Sequence, residues 1–178
     1  MPDPAPPPAT LRPPRGEDAA TIAALIRELA AYERLEHEVE GTPADFERHL
    51  FGPEPVAAVI LAEVAGEPVG FALYFANFST FRARPGVYLE DLFVRPAHRG
   101  RGIGRALIAA VAQVAVARGA GRLEWAVLNW NTPAIDFYRT LGARPMTEWT
   151  VNRVADDALL RLAESSPPIL LPEKADPR

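Results

Sequence analysis

Between Tyr88 and Arg105 the chain runs Tyr88-Leu89-Glu90-Asp91-Leu92-Phe93-Val94-Arg95-Pro96-Ala97-His98-Arg99-Gly100-Arg101-Gly102-Ile103-Gly104-Arg105. A strand, a turn and the start of a helix can all be placed from it. Val87, Leu89 and Leu92 to Val94 are apolar and partly β-branched, which suits a strand entered at Gly86 and ended by Pro96. Glu90 and Asp91 interrupt the apolar run, and adjacent carboxylates in a buried strand are costly unless paired or solvated. On a regular strand their side chains point to opposite faces, so one is expected in a cleft and the other in structure; Glu90 is favoured for the cleft. Gly100, Gly102 and Gly104 then lead into a helix over Ala106–Arg118. Strand, glycine-rich turn and helix form an anion-binding construction, because close backbone approach, converging N–H groups and the helix dipole act together. Arg99, Arg101 and Arg105 add guanidinium groups suited to phosphate oxygens. The stretch predicts a pyrophosphate seat, with a plain structural turn as the alternative.

The glycine spacing is not the dinucleotide G-x-G-x-x-G, although Glu124 stands where that fold places an acidic ribose ligand. The chain does not open with the βαβ unit that such a fold needs. There is no G-x-x-x-x-G-K-[ST] either, so P-loop nucleotide hydrolysis is excluded.

Outward from this stretch, the 178 residues suffice for one domain with a full core. Apolar residues make up 48% and charged residues 24%, the balance of a globular protein. There is no cysteine, hence no disulfide framework, thiolate nucleophile or cysteine-ligated metal. Histidines 37, 49 and 98 are scattered without metal-site spacing. The net charge of −4 argues against nucleic acid and suits a cationic small substrate. No apolar run reaches the ~20 residues that span a bilayer, so a cytoplasmic protein without membrane partners is expected.

In chain order, Met1–Pro8 reads as a disordered Pro-rich tail and Ala9–Arg12 as a short edge strand. A helix runs from about Gly16 to Glu33 with Ile22, Leu25, Ile26 and Leu29 on one face. Thr42 caps a second helix over Pro43–Leu50. Val56–Val64 and Val69–Asn77 are strands joined by the turn Ala65-Gly66-Glu67-Pro68, and a loop follows over Phe78–Pro85. After the central strand and helix come a strand Arg122–Leu128 and a helix Pro133–Leu141 capped by Asn131 or Thr132. A bent or broken final strand over Arg144–Val154, a short helix over Ala155–Glu164 and a loose tail from Ser165 close the chain. This order describes a mixed α/β sheet with helices on both faces and one domain over residues 9–164.

Arg99-Gly100-Arg101-Gly102-Ile103-Gly104 matches the R/Q-x-x-G-x-G/A acetyl-CoA signature, and the chain here resembles the GNAT superfamily of N-acetyltransferases. Leu29-Ala30-Ala31-Tyr32-Glu33, Tyr88–Val94 and Leu128–Tyr138 bring the resemblance closer to the diamine (spermidine/spermine) and thialysine branch. The similarity covers about Thr10 to Val154. It implies the acyl-CoA N-acyltransferase fold, a mixed and splayed central sheet flanked by helices. It also implies acetyl transfer to a primary amine by direct attack, with acetyl-CoA as cosubstrate. On this resemblance the diphosphate rests on Gly100 to Arg105 and the pantetheine arm pairs with Leu92, Phe93 and Val94. Asn131, Thr132, Pro133 and Ala134 also touch the cofactor.

Tyr138 matches the family's general acid, although a tyrosine after Phe137 in a helix is otherwise a packing residue. Glu90 matches the residue that touches the amine and is the candidate base, with a solvent-facing strand residue as the lesser alternative. Tyr32, Glu33, Glu124, Trp125 and Ala126 match acceptor-side positions. Glu148 next to Trp149 matches a distal-amine position, with Trp149 as strand packing the alternative. A diamine or polyamine acceptor would use the acidic groups; an amino-acid acceptor of thialysine type would want an arginine such as Arg82 or Arg84. A non-catalytic CoA-binding module is the rival from another class. The family's habit implies a homodimer.

Overall fold

The computed structural model describes residues 8–167. The tail assigned to Met1–Pro8, apart from Pro8, and the tail beyond residue 167 lie outside the described residues. The chain divides into two compact units, one through Leu128 and one from Asn129.

The first unit is a five-stranded sheet in the order β1-β2-β3-β4-β5. Its strands are β1 (Ala9–Arg12), β2 (Ala58–Val64), β3 (Glu67–Ser79), β4 (Arg84–Val94) and β5 (Leu123–Glu124). The first four pair antiparallel and β4 pairs parallel with β5, so the sheet is mixed as expected. Ala65 and Gly66 both take positive φ between β2 and β3, the two-residue hairpin geometry that matches strand twist. Helix α1 (Ala19–Glu33) presents the expected face, with Ile22, Leu25 and Leu29 buried against Val59, Leu61, Phe71, Leu73 and Phe93. Each such fully buried aliphatic side chain contributes about 1.5–3 kcal/mol. Helix α2 (Pro43–Phe51) starts on a Thr42–Asp45 capping box and adds Phe46, Leu50 and Phe51 to the same cluster. Helix α3 (Ile103–Ala117) buries Ile103, Leu107, Ile108 and Val111 and packs on β4, β3 and β2.

Two arginines set where α1 sits. Arg12 of β1 grips Asp18, just ahead of α1, at 2.6 and 2.9 Å and Glu63 of β2 at 2.7 Å. Arg95, just past β4, holds Glu28 of α1 at 2.7–3.1 Å and the Pro68 carbonyl at 2.9 Å. The end of α1 is thereby tied to the end of β4.

Three expectations are corrected, the first being the loop over Phe78–Pro85: Phe78 and Ser79 extend β3 and pair with Pro85 and Arg84 of β4, which leaves only residues 80–83 as the turn. The strand expected over Arg122–Leu128 is only Leu123–Glu124, so β4 is paired on that side only at Val87 and Tyr88. From Leu89 onward that edge of β4 has no partner strand among the described residues, and the sheet splays. In the second unit, helices α4 (Thr132–Thr140) and α5 (Asp156–Glu164) form as expected to within a residue or two, with Asn131 the cap of α4. The strand expected over Arg144–Val154 does not form. Apolar residues alone do not make a strand: a ladder needs a neighbour, and Met146, Trp149 and Val151 are exposed instead.

Candidate active site

The central strand carries a one-residue bulge. Leu73 pairs with Asp91 and Tyr74 pairs with Leu89, which leaves Glu90 as the extra residue. Cross-strand partners share a face, so Asp91 lies on the face of Leu73, which packs against α1, while Leu89 lies with Tyr74 on the opposite face. Without the bulge, Asp91 would follow Leu89 to the α3 side. The simple alternation expected for Glu90 and Asp91 is broken at this point.

Asp91 is half-buried and Glu90 exposed. Burial first, then the neighbouring Glu90 and Glu33 carboxylates, push the Asp91 carboxyl from its ordinary 3.8 up to about 7. Glu33, in the last turn of α1, is itself raised by burial. Three carboxyls therefore gather beside the bulge. Asp91 was the residue passed over in the sequence, and the signal that finds it is the register of β3 against β4.

Tyr88 was also missed. It faces the α1 side opposite Phe75, with ring centroids 5.3 Å apart. Its phenol is raised by burial and then by Glu90 and Glu124, while the Ala126 backbone works the other way. Glu124 is already engaged: Oε2 accepts from Asn77 Nδ2 at 3.1 Å and lies 2.8 Å from Arg122 Nε in an ion pair. Trp125 is half-buried and Ala126 exposed.

Beyond β4, Gly100 and Gly102 take φ of 74° and 79°, a region that costs other residues about 1–2 kcal/mol. A Cβ added at either would meet nothing within 4 Å, so the turn is open on that side. Gly102 is the N-cap of α3 and brings no side chain to the first-turn amides of Ile103, Gly104 and Arg105. An anionic diphosphate fits such a cradle. Arg101 and Arg105 are exposed beside it, Arg101 lying 3.2 Å from His98. Arg99 is placed differently. Its Nε donates to the Val94 carbonyl at 2.8 Å and its guanidinium lies 4.4 Å from the centre of the Tyr32 ring. Leu92 is half-buried and Phe93 and Val94 buried, at the end of the splayed edge.

In the second unit, Asn131 accepts from the Ala134 amide at 3.3 Å, and Pro133 stands in the first turn of α4. Tyr138 is half-buried, its ring 5.3 Å from that of Phe137. Glu148 and Trp149 are exposed. Among the described residues no group of three His, Cys, Asp or Glu side chains could hold a metal ion, and no helix is long and apolar enough to cross a membrane.

The profile of the acetyltransferase (GNAT) family matches residues 22–143. A thialysine N-ε-acetyltransferase of Bos taurus is 40% identical over 157 residues, covering 82% of this chain and 92% of that protein. A spermidine/spermine N(1)-acetyltransferase-like protein of Homo sapiens is 31% identical over 156 residues, covering 82% of this chain and 22% of that one. Among solved structures, an integron cassette protein from V. cholerae superposes with a TM-score of 0.74 at 26% identity, covering 88% of this chain and 98% of that one. The glycine cradle, the bulged and splayed strand and these likenesses agree: the chain belongs to the GNAT family of acetyltransferases, enzymes that use acetyl-CoA as cosubstrate.

Proposed function

We propose that the protein transfers the acetyl group of acetyl-CoA to a primary amine of a small cationic molecule of diamine or polyamine type. The observation that carries this is the carboxyls of Glu33 and Asp91 on the α1 side, with Glu90 beside them in the bulge, on a strand whose edge, unpaired among the described residues, leads into the glycine cradle. A dicationic amine balances what the fold leaves unbalanced there. Acetyl-CoA, when bound, supplies a thioester carbonyl and a thiolate leaving group. The amides of residues 102–105 hold its diphosphate, and backbone groups of Leu92–Val94 orient the pantetheine arm as an added strand. On the family resemblance, Asn131 to Ala134 are assigned to the cofactor as well.

An alkylammonium cannot attack until it loses a proton. Exposed Glu90, displaced outward by the bulge, accepts that proton directly or through water, while Asp91 and Glu33 hold the remaining positive charge. Tyr138 gives a proton to the departing sulfur. Attack is direct, since the chain has no cysteine to carry the acetyl group. Tyr32 and Trp125 border the acceptor, with Glu148 toward its far end.

An amino-acid acceptor is the second reading. It is favoured by the likeness to thialysine acetyltransferases and to an L-ornithine N5-acetyltransferase of Arabidopsis thaliana, 41% identical over 123 residues. Acetyl-CoA consumption with putrescine, spermidine, lysine and thialysine decides between them. Turnover on none of these, with coenzyme A still bound, would leave a non-catalytic binding module.

We further assign a cytoplasmic homodimer. Trp149 at 70% exposure and Val151 at 83%, followed by exposed Leu159, Leu160 and Leu162 on α5, support cover by a second copy. Sedimentation at micromolar concentration tests this, and a monomer would count against it.

A further inference from the structure

The first arginine of the cradle does not reach for the anion. Arg99 follows the short turn Pro96–His98, and its side chain folds back toward β4 and α1. Nε donates to the Val94 carbonyl at 2.8 Å, and Cζ stands 4.4 Å from the Tyr32 ring centre and 5.8 Å from that of Phe93. One planar group thus touches the last carbonyl of the strand edge, the aromatic at the end of α1 and the Phe93 ring, and it belongs to the residue directly before the glycine turn. Tyr32 adjoins Glu33 of the carboxyl cluster. A guanidinium suits this task because it stacks on a ring and donates in its plane at once, which an ammonium cannot do.

We propose that Arg99 is a positioning residue that couples the cofactor cradle to the acceptor pocket, an inference that rests on the proposed transferase reading. A diphosphate on the turn would favour the place that Arg99 already takes over Tyr32, and an acceptor packed against Tyr32 would favour the same place. Because such coupling is reciprocal, the acceptor must tighten coenzyme A by the same factor.

Calorimetric titration of coenzyme A into the full chain, with and without saturating thialysine or spermidine, measures that factor. The native protein is expected to show at least about fivefold coupling. Arg99→Leu should reduce it below about twofold while changing the affinity for coenzyme A alone by less than about threefold. Tyr32→Leu should abolish coupling in the same way, and Tyr32→Phe, which keeps the ring, should retain it. If Arg99→Leu does not fold, Arg99→Lys and Tyr32→Leu decide the matter, with weakened coupling expected for both. A tenfold loss of coenzyme A affinity in Arg99→Leu would make Arg99 a phosphate ligand and overturn the proposal, as would intact coupling or none in the native protein. Failure of the native protein to bind coenzyme A at all would instead sink the transferase reading.

Discussion

The Asp91 carboxyl, on the strand, faces the end of α1 that carries Glu33, and after its own burial and Glu90 the Glu33 charge raises the cost of ionising it. A regular strand would have kept them apart. The bulge at Glu90 turns Asp91 onto the α1 face, and the Arg95–Glu28 ion pair fixes the helix end that carries Glu33.

This arrangement predicts a pH-dependent stability. Asp91 binds its proton in the fold up to about pH 7, whereas the unfolded chain releases it near 3.8. Between those values the native state holds more protons, so stability is fully present below about pH 4, falls as pH rises to about 7 and is level above it. For a half-buried group the loss is about 1–3 kcal/mol. Glu33 shifts in the same direction. Asp91→Asn should therefore be more stable than the native protein at pH 8 and show a flatter profile in urea unfolding from pH 4 to 8. An unchanged profile would mean that Asp91 is solvated.

The same shift bears on binding. A cationic acceptor needs the ionised carboxylate, so its KM should fall as pH rises through about 7 in the native enzyme. Asp91→Asn should lose that dependence, matching the native KM well below pH 7 and binding the acceptor more weakly above it, where the native carboxylate is ionised. Initial rates against acceptor concentration at half-unit pH steps would show it.

How much of this was legible beforehand depends on whether a feature belongs to one segment or two. Ala9–Arg12, the buried face of α1 and the glycine turn are set by local spacing, and the structure reproduces them. The bulge is a property of β4 against β3, and nothing in Tyr88–Val94 alone says which residue will be skipped. The face that Asp91 takes, and with it that of Tyr88, therefore follows only from the register between the two strands. Met146 to Val154 has strand-like composition but finds no ladder in one chain.

Tyr138→Phe removes only a proton donor. The expected result is a fall in kcat of about 10²-fold or more, with the dissociation constant of coenzyme A unchanged. Rapid-quench or steady-state assays with a good thiol trap would reveal it. Unaltered turnover would return Tyr138 to packing beside Phe137.

Gly102→Val places a branched side chain at φ 79° on the side from which the diphosphate approaches. Backbone strain of about 1–2 kcal/mol is expected in any case. Gly66→Val, at φ 83° in the β2–β3 hairpin, supplies the control for strain alone. Both variants should melt earlier, but only Gly102→Val should weaken coenzyme A binding, by about tenfold or more. Equal affinities would place the anion elsewhere.

Glu124 divides structure from binding. Its Oε2 already receives Asn77 and faces Arg122, so its removal should be felt first as lost cohesion between β3 and the strand β5. Glu124→Gln is expected to cost about 1–2 kcal/mol of stability while raising the acceptor KM less than Asp91→Asn does. Gly86→Ala offers an independent check, because a Cβ there runs into the Asn77 side-chain oxygen and presses on Arg122 while leaving Glu124 in place. If Glu124 serves cohesion, the two variants share a lowered unfolding midpoint and near-native KM. A large KM effect confined to Glu124→Gln would instead make this carboxylate a direct partner of the amine.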